Sequence, residues 1–266
     1  HLLAIALLAA SATSANAQTT VGKGGITPEM LTQMRQAYPT TPADRALRNA
    51  LAGTSINQLA TNANNADATD THFSNEVPSR GITDQKSSGR CWLFTGLNVM
   101  RAKMIKQYGL GDFQFSQSYN FFYDQLEKSN LFLQAVIDNA KKPMNDQLVD
   151  WLFKNPLSDG GTFCGVIDVV SKYGVVPAEV MPESFTANNT SRMASILSLK
   201  LREYGLTLRK MAAHGKKSAE LQKVKTQQLS TIYHILTICL GEPVQKFTWA
   251  PRDASGKLLG EVKEYT

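Results

Sequence analysis

Cysteine is scarce in this chain: its 266 residues hold three, Cys91, Cys164 and Cys239. An odd, scattered set makes no disulfide framework. There is no CxxC pair, and the four histidines are dispersed, so no zinc-ligand pattern forms. Gly-rich phosphate loops and zinc-finger spacings are missing as well, and no internal repeat is present. Charged residues are 19% and hydrophobic residues 42% of the chain. Those proportions exclude disordered and fibrous classes and leave enough material for one large domain or two small ones. The formal net charge is +6, which implies a general attraction to anions. The basic residues are scattered, so nucleic acid is not an expected partner. Neither a cofactor nor a metal is expected.

The first residues form an apolar run, positions 2–12, followed by Ala15-Asn16-Ala17. A short apolar stretch and a small-x-small site read as a secretory signal ending before Gln18. The run is too short for a stable membrane span. The expectation is a signal peptide over 1–17 that lacks its basic start. It implies an exported protein, periplasmic or extracellular, free of the membrane after cleavage. Residues 18–74 read as an N-terminal extension and linker. Within it Thr27, Pro28 and Glu29 open a short helix as cap, first residue and first-turn acid. A helix extension over 51–59 and a linker over 62–71 follow.

From Cys91 onward helical periodicity takes over. It predicts a helix from Cys91 to Tyr108, ended by Gly109 and Gly111. Ser116 caps a second, with Tyr119, Phe122, Tyr123 and Leu126 on its face. Further helices are predicted near 131–141, 166–173, 190–213 and 216–240. Residues 244–249 and 258–265 flank the turn Asp253-Ala254-Ser255-Gly256, which predicts a hairpin. The cluster Phe121, Phe122 and Tyr123 reads as core, as do Cys164 and Cys239.

The chemistry gathers in Gln85-Lys86-Ser87-Ser88-Gly89-Arg90-Cys91-Trp92. Gly89 would let the chain turn sharply before the helix. Cys91 falls in the first helical turn, where the positive end of the helix favours a thiolate. A thiolate there is a competent nucleophile. The backbone N–H of Cys91 and the side-chain amide of Gln85, six residues earlier, could together hold an oxyanion. Taken singly, Cys91 could equally be an inert buried thiol and Gln85 a surface amide.

The joint pattern resembles the papain superfamily. Ser88 stands where papain and the cathepsins have a disulfide cysteine, so the stretch is similar instead to the bleomycin hydrolase/aminopeptidase C family. Further segments carry the same likeness. They are residues 115–130, Asp159-Gly160-Gly161-Thr162-Phe163, Lys172-Tyr173-Gly174-Val175-Val176-Pro177, Met181-Pro182-Glu183, Ile232-Tyr233-His234-Ile235-Leu236 and Leu240-Gly241-Glu242-Pro243. The likeness covers roughly 75–266. It implies an α+β papain-like fold with the helical domain present and the β domain incomplete. It implies a cysteine peptidase, acting as an aminopeptidase on peptide substrates and assembling as a homo-hexamer. Cys91 would be the nucleophile, Gln85 part of the oxyanion hole, and Gly160 and Gly161 would lie beside the substrate backbone.

The same likeness requires a histidine base and an asparagine after the nucleophile. His1 and His72 precede Cys91. His214 lies at a helix end, and His234 lies in an apolar helix that is not catalytic in the family. The expectation is therefore a chain cut short, with its base beyond Thr266 and no activity alone. The alternative is a non-catalytic papain-like scaffold, basic enough to touch nucleic acid.

Overall fold

The fold was taken from a computed structural model that describes residues 24–266, apart from 39, 63, 66–69, 71 and 78. The expected signal peptide lies outside the described residues. Two units divide the chain, His1–Phe73 and Ser74–Thr266.

Among the described residues of the first unit three short helices are each set by a side-chain cap. Thr27 accepts from Met30 N at the start of α1 (Pro28–Ala37), with Pro28 and Glu29 in its first turn. Thr41 and Asp44 cap α2 (Pro42–Gly53) reciprocally, and Ser55 and Gln58 do the same for α3 (Ile56–Ala60). The single helix expected over 51–59 is thus two: α2 ends at Gly53, and Ser55 opens a new one.

In the second unit α4 (Cys91–Tyr108) ends on Gly109, whose φ of 65° is the left-handed cap that glycine adopts without strain. Next is α5 (Gln117–Asp138), where Ser116 accepts from Tyr119 N. It is one helix where the sequence suggested two. The polar stretch 128–130 does not break it, because its side chains find partners along the helix. Ser129 Oγ donates to Gln125 O at 2.7 Å and Lys128 Nζ meets Asp124 Oδ2 at 2.8 Å. A helix not anticipated from sequence is α6 (Gln147–Lys154), short and capped by Asp146. The remaining helices are α7 (Phe163–Tyr173), α8 (Ser191–Ala213) and α9 (Ser218–Leu240). No described helix is long and apolar enough to cross a membrane.

α5 is the central element and touches α4, α6, α7, α8 and α9. Leu93, Phe121, Phe122, Leu133, Leu197, Leu201, Ile232 and Leu236 meet there, fully buried. Each such side chain contributes about 1.5–3 kcal/mol by leaving water. β1 (Phe247–Trp249) and β2 (Lys263–Tyr265) pair antiparallel, with Phe247 opposite Tyr265. The turn between them is tied by Asp253 Oδ1, which accepts from Ser255 N and Lys257 N. This is an α+β fold with a dominant helical part and, among the described residues, one hairpin of β structure.

Glu127 links α5 to α7 by accepting from Lys172 and Tyr173. Burial pushes its carboxyl up, but those hydrogen bonds outweigh burial and hold it below its ordinary 4.5. A carboxyl held low adds stability above its unfolded-state value and loses it as the pH falls through the folded one. Glu127→Gln is therefore expected to lower stability at neutral pH and to flatten the acid loss below about pH 5. Urea midpoints across that range check this; midpoints that track the unaltered protein at every pH would contradict it.

Candidate active site

The loop before α4 is held from both ends. Asp84 Oδ1 accepts from Lys86 N at 2.8 Å, and Lys86 takes a left-handed φ of 53°. The sharp turn therefore falls at Lys86 and not at Gly89. Gly89 serves a different need: a Cβ there would sit 2.7 Å from Asp159 Cβ. Its N–H donates to Asp159 Oδ2 at 3.2 Å, a contact any side chain would push apart. Ser87 N donates to Asn188 O at 3.0 Å, which fastens the loop to the segment before α8.

Within the loop Gln85 Nε2 donates to Ser88 O at 2.6 Å, and Ser88 Oγ donates to Gln85 O at 2.6 Å. These two bonds close Gln85–Ser88 into a tight turn, and Cys91 follows it by three residues. Cys91 is exposed and is the first residue of α4. N–H groups of a first helical turn have no carbonyl one turn back and remain available to an anion.

Trp92 joins this loop to the glycine pair. Its Nε1 donates to Asp159 O at 2.7 Å. A Cβ on Gly161 would lie 2.6 Å from the Trp92 ring, so only glycine permits this packing. At Gly160 a Cβ would meet only Ser158 Oγ, at 3.4 Å. Gly161→Ala is therefore expected to cost about 1–3 kcal/mol through overpacking, and Gly160→Ala no more than about 0.5 kcal/mol. Denaturation midpoints of the two variants check this; equal costs would contradict it.

Lys128 pins the same segment from α5. Its Nζ donates to Gly160 O at 2.7 Å and Ser158 O at 3.1 Å, and lies 5.1 Å from the Trp92 ring centre. The ammonium also pairs with Asp124. Burial pushes the Asp124 carboxyl up, and Lys128 opposes that shift. Thr190 Oγ1 donates to Asp159 Oδ2, which closes the segment against α8.

Arg90, beside Cys91, is fully buried. It forms a two-pronged pair with Glu183, at 3.1 and 2.7 Å. Sequence reasoning gave Arg90, Lys128 and Asp159 no role of their own. The one local hint for Arg90 was Phe94 one helical turn on, over which the guanidinium lies at 5.0 Å.

Among the described residues no hydrogen bond joins a histidine to Cys91. His214 caps α8, its Nδ1 2.7 Å from Lys210 O. His234 is an exposed position on α9, and His72 belongs to the first unit. Cys164 was expected in the core and is exposed instead, in the first turn of α7. That face of α7 is turned outward, with Phe163 and Ile167 exposed beside it. Cys239 is half-buried, and burial pushes its thiol up. Two of the cavities among the described residues, of about 400 and 450 Å³, do not have Cys91 in their lining. The first lies between Asp112 and the Arg252–Asp253 turn, the second beside Lys128 and Lys172.

Residues 25–263 match the Peptidase C1-like family. Human bleomycin hydrolase is 43% identical over 185 residues, covering 68% of this chain and 41% of that protein. Aminopeptidase G of Lactobacillus delbrueckii subsp. lactis is 38% identical over 228 residues, 86% of this chain and 52% of that protein. Among solved structures, PepW of Lactobacillus rhamnosis is 36% identical with a TM-score of 0.79, over 91% of this chain and 54% of that one. The chain thus spans 41% to 52% of the length of these two curated relatives.

Proposed function

The chain belongs to the Peptidase C1-like family, in its bleomycin hydrolase/aminopeptidase C branch, and on that premise we propose that the full-length protein is a cysteine aminopeptidase acting through Cys91. The observation that carries the reading is the placement of Cys91, exposed at the first turn of α4 and six residues after Gln85, whose side-chain amide is held by Ser88 O. The sulfur attacks the peptide carbonyl carbon, and the carbonyl π pair moves onto oxygen. That oxyanion is held by the Cys91 N–H and by Gln85. The Gln85 amide carries two hydrogens; one goes to Ser88 O, and the other is left for the oxyanion. Collapse of the intermediate expels the amine, which takes a proton from the general acid. Water then cleaves the thioester and regenerates the thiol. Gly160 and Gly161 flank the extended substrate backbone.

The histidine and asparagine required by this chemistry belong, in this reading, to the length of the relatives that the chain does not span. Hexameric assembly and export are parts of the same proposal. Gln85→Ala in the full-length protein is expected to lower kcat about 10²- to 10³-fold, the usual effect of losing one oxyanion donor. Steady-state kinetics on an aminoacyl anilide test this, and an unchanged kcat would remove Gln85 from the mechanism.

A further inference from the structure

We infer that Glu183, Arg90 and Ser88 form a relay that positions Gln85 for oxyanion binding, a task separate from that of the reacting groups. The inference rests on the peptidase reading above. Arg90 donates from Nη1 and Nη2 to the two oxygens of Glu183, and from Nε to Ser88 Oγ at 2.9 Å. Its guanidinium lies over the Phe94 and Phe121 rings, at 5.0 and 5.3 Å from their centres. Ser118 Oγ donates to Glu183 Oε1 at 2.8 Å and holds the carboxylate from α5. Each of these contacts restricts the next.

The direction of the hydrogen bonds makes the relay specific. A guanidinium only donates, so Ser88 Oγ must accept from Arg90 and send its own hydrogen elsewhere. That hydrogen goes to Gln85 O, 2.6 Å away. The Ser88 carbonyl meanwhile takes one hydrogen of the Gln85 amide, also at 2.6 Å. Gln85 is therefore fixed at its main chain and at its side chain by one residue, whose own rotamer Arg90 sets. The Arg90–Glu183 pair is an ion pair without net charge. Its contribution is orientation. Lysine in place of Arg90 could not bond Ser88 and both carboxylate oxygens from one plane.

The test separates oxyanion holding from thiol access in the full-length protein. The probe is a dipeptide aldehyde with a free amino terminus. Capture forms a bond from Cys91 Sγ to the aldehyde carbon; the C=O π pair moves to oxygen, and the thiol proton ends on that oxygen. Iodoacetamide alkylation of Cys91 displaces iodide and builds no oxyanion. Gln85→Ala is expected to weaken aldehyde binding about tenfold to a hundredfold, and Ser88→Ala about tenfold. The double variant should bind within about twofold of Gln85→Ala, because Ser88 acts through Gln85. Ser88→Thr, which keeps the hydroxyl, should restore most of the affinity. Alkylation rates should change less than about twofold throughout. Additive losses in the double variant, or alkylation falling in step with aldehyde binding, would overturn the relay alone. Aldehyde capture retained by Cys91→Ala would overturn the peptidase reading, and the relay with it.

Discussion

Cys91→Ala is expected to abolish peptide hydrolysis by the full-length protein, with kcat falling on the order of 10⁵-fold or more, as when a covalent nucleophile is removed. The fold should persist. The Cys91 side chain is exposed, and alanine is the best helix former for the start of α4. A change in stability within about 0.5 kcal/mol follows. Cys164 is the built-in control. It too is exposed, in the first turn of a helix, but no loop of the Gln85–Ser88 kind is tied to it. Cys164→Ala should leave kcat within about twofold, since it replaces an exposed thiol that takes no part in the bond-making steps with a slightly smaller side chain. Initial rates on an aminoacyl anilide decide the matter. Activity retained by Cys91→Ala, or lost in Cys164→Ala with the fold intact, would contradict the assignment.

Removing Glu183 is expected to give the largest loss of stability of any single change in the site. Arg90 is fully buried, and Glu183 is its counter-charge. Glu183→Ala leaves that cation without a partner, at a cost of about 3–5 kcal/mol. The low end is expected, because the Glu183 side chain is 26% exposed and water can partly replace it. Against a typical total of about 5–15 kcal/mol, this is a large fraction. Arg90→Met combined with Glu183→Met should cost less than Glu183→Ala alone, since neither residue is then left charged and unpaired. Urea denaturation at neutral pH measures both. A Glu183→Ala loss below about 1 kcal/mol would mean that the pair is solvated in a way its burial does not allow.

The features legible in sequence were local ones. Thr27 and Ser116 marked helix starts, Gly109 marked a stop, and the Asp253–Gly256 turn marked the hairpin, because each acts within a few residues. Cys91, Gln85 and Trp92 were legible for the same reason: they share one eight-residue stretch. What escaped were contacts between distant segments. Arg90 and Glu183 are 93 residues apart, Gly89 and Asp159 are 70 apart, and Lys128 and Gly160 are 32 apart. Nothing in the local pattern of any of these announces its partner. Gly89 shows the consequence. Its presence was readable, but the reason for it is the approach of Asp159 and not the bend of its own backbone. Cys164 shows the converse: a small apolar residue type suggested the core, and only the packing of α7 places it outside.

The measurement that bears most directly on the account is to treat the full-length protein with a dipeptidyl epoxide and map the adduct by peptide mass spectrometry. Exposure alone would label Cys91 and Cys164 alike, since both are open to solvent. The account expects one adduct per chain, on Cys91, with labelling slowed by competing peptide substrate. Equal labelling of Cys91 and Cys164, or labelling of Cys91 indifferent to substrate, would contradict it.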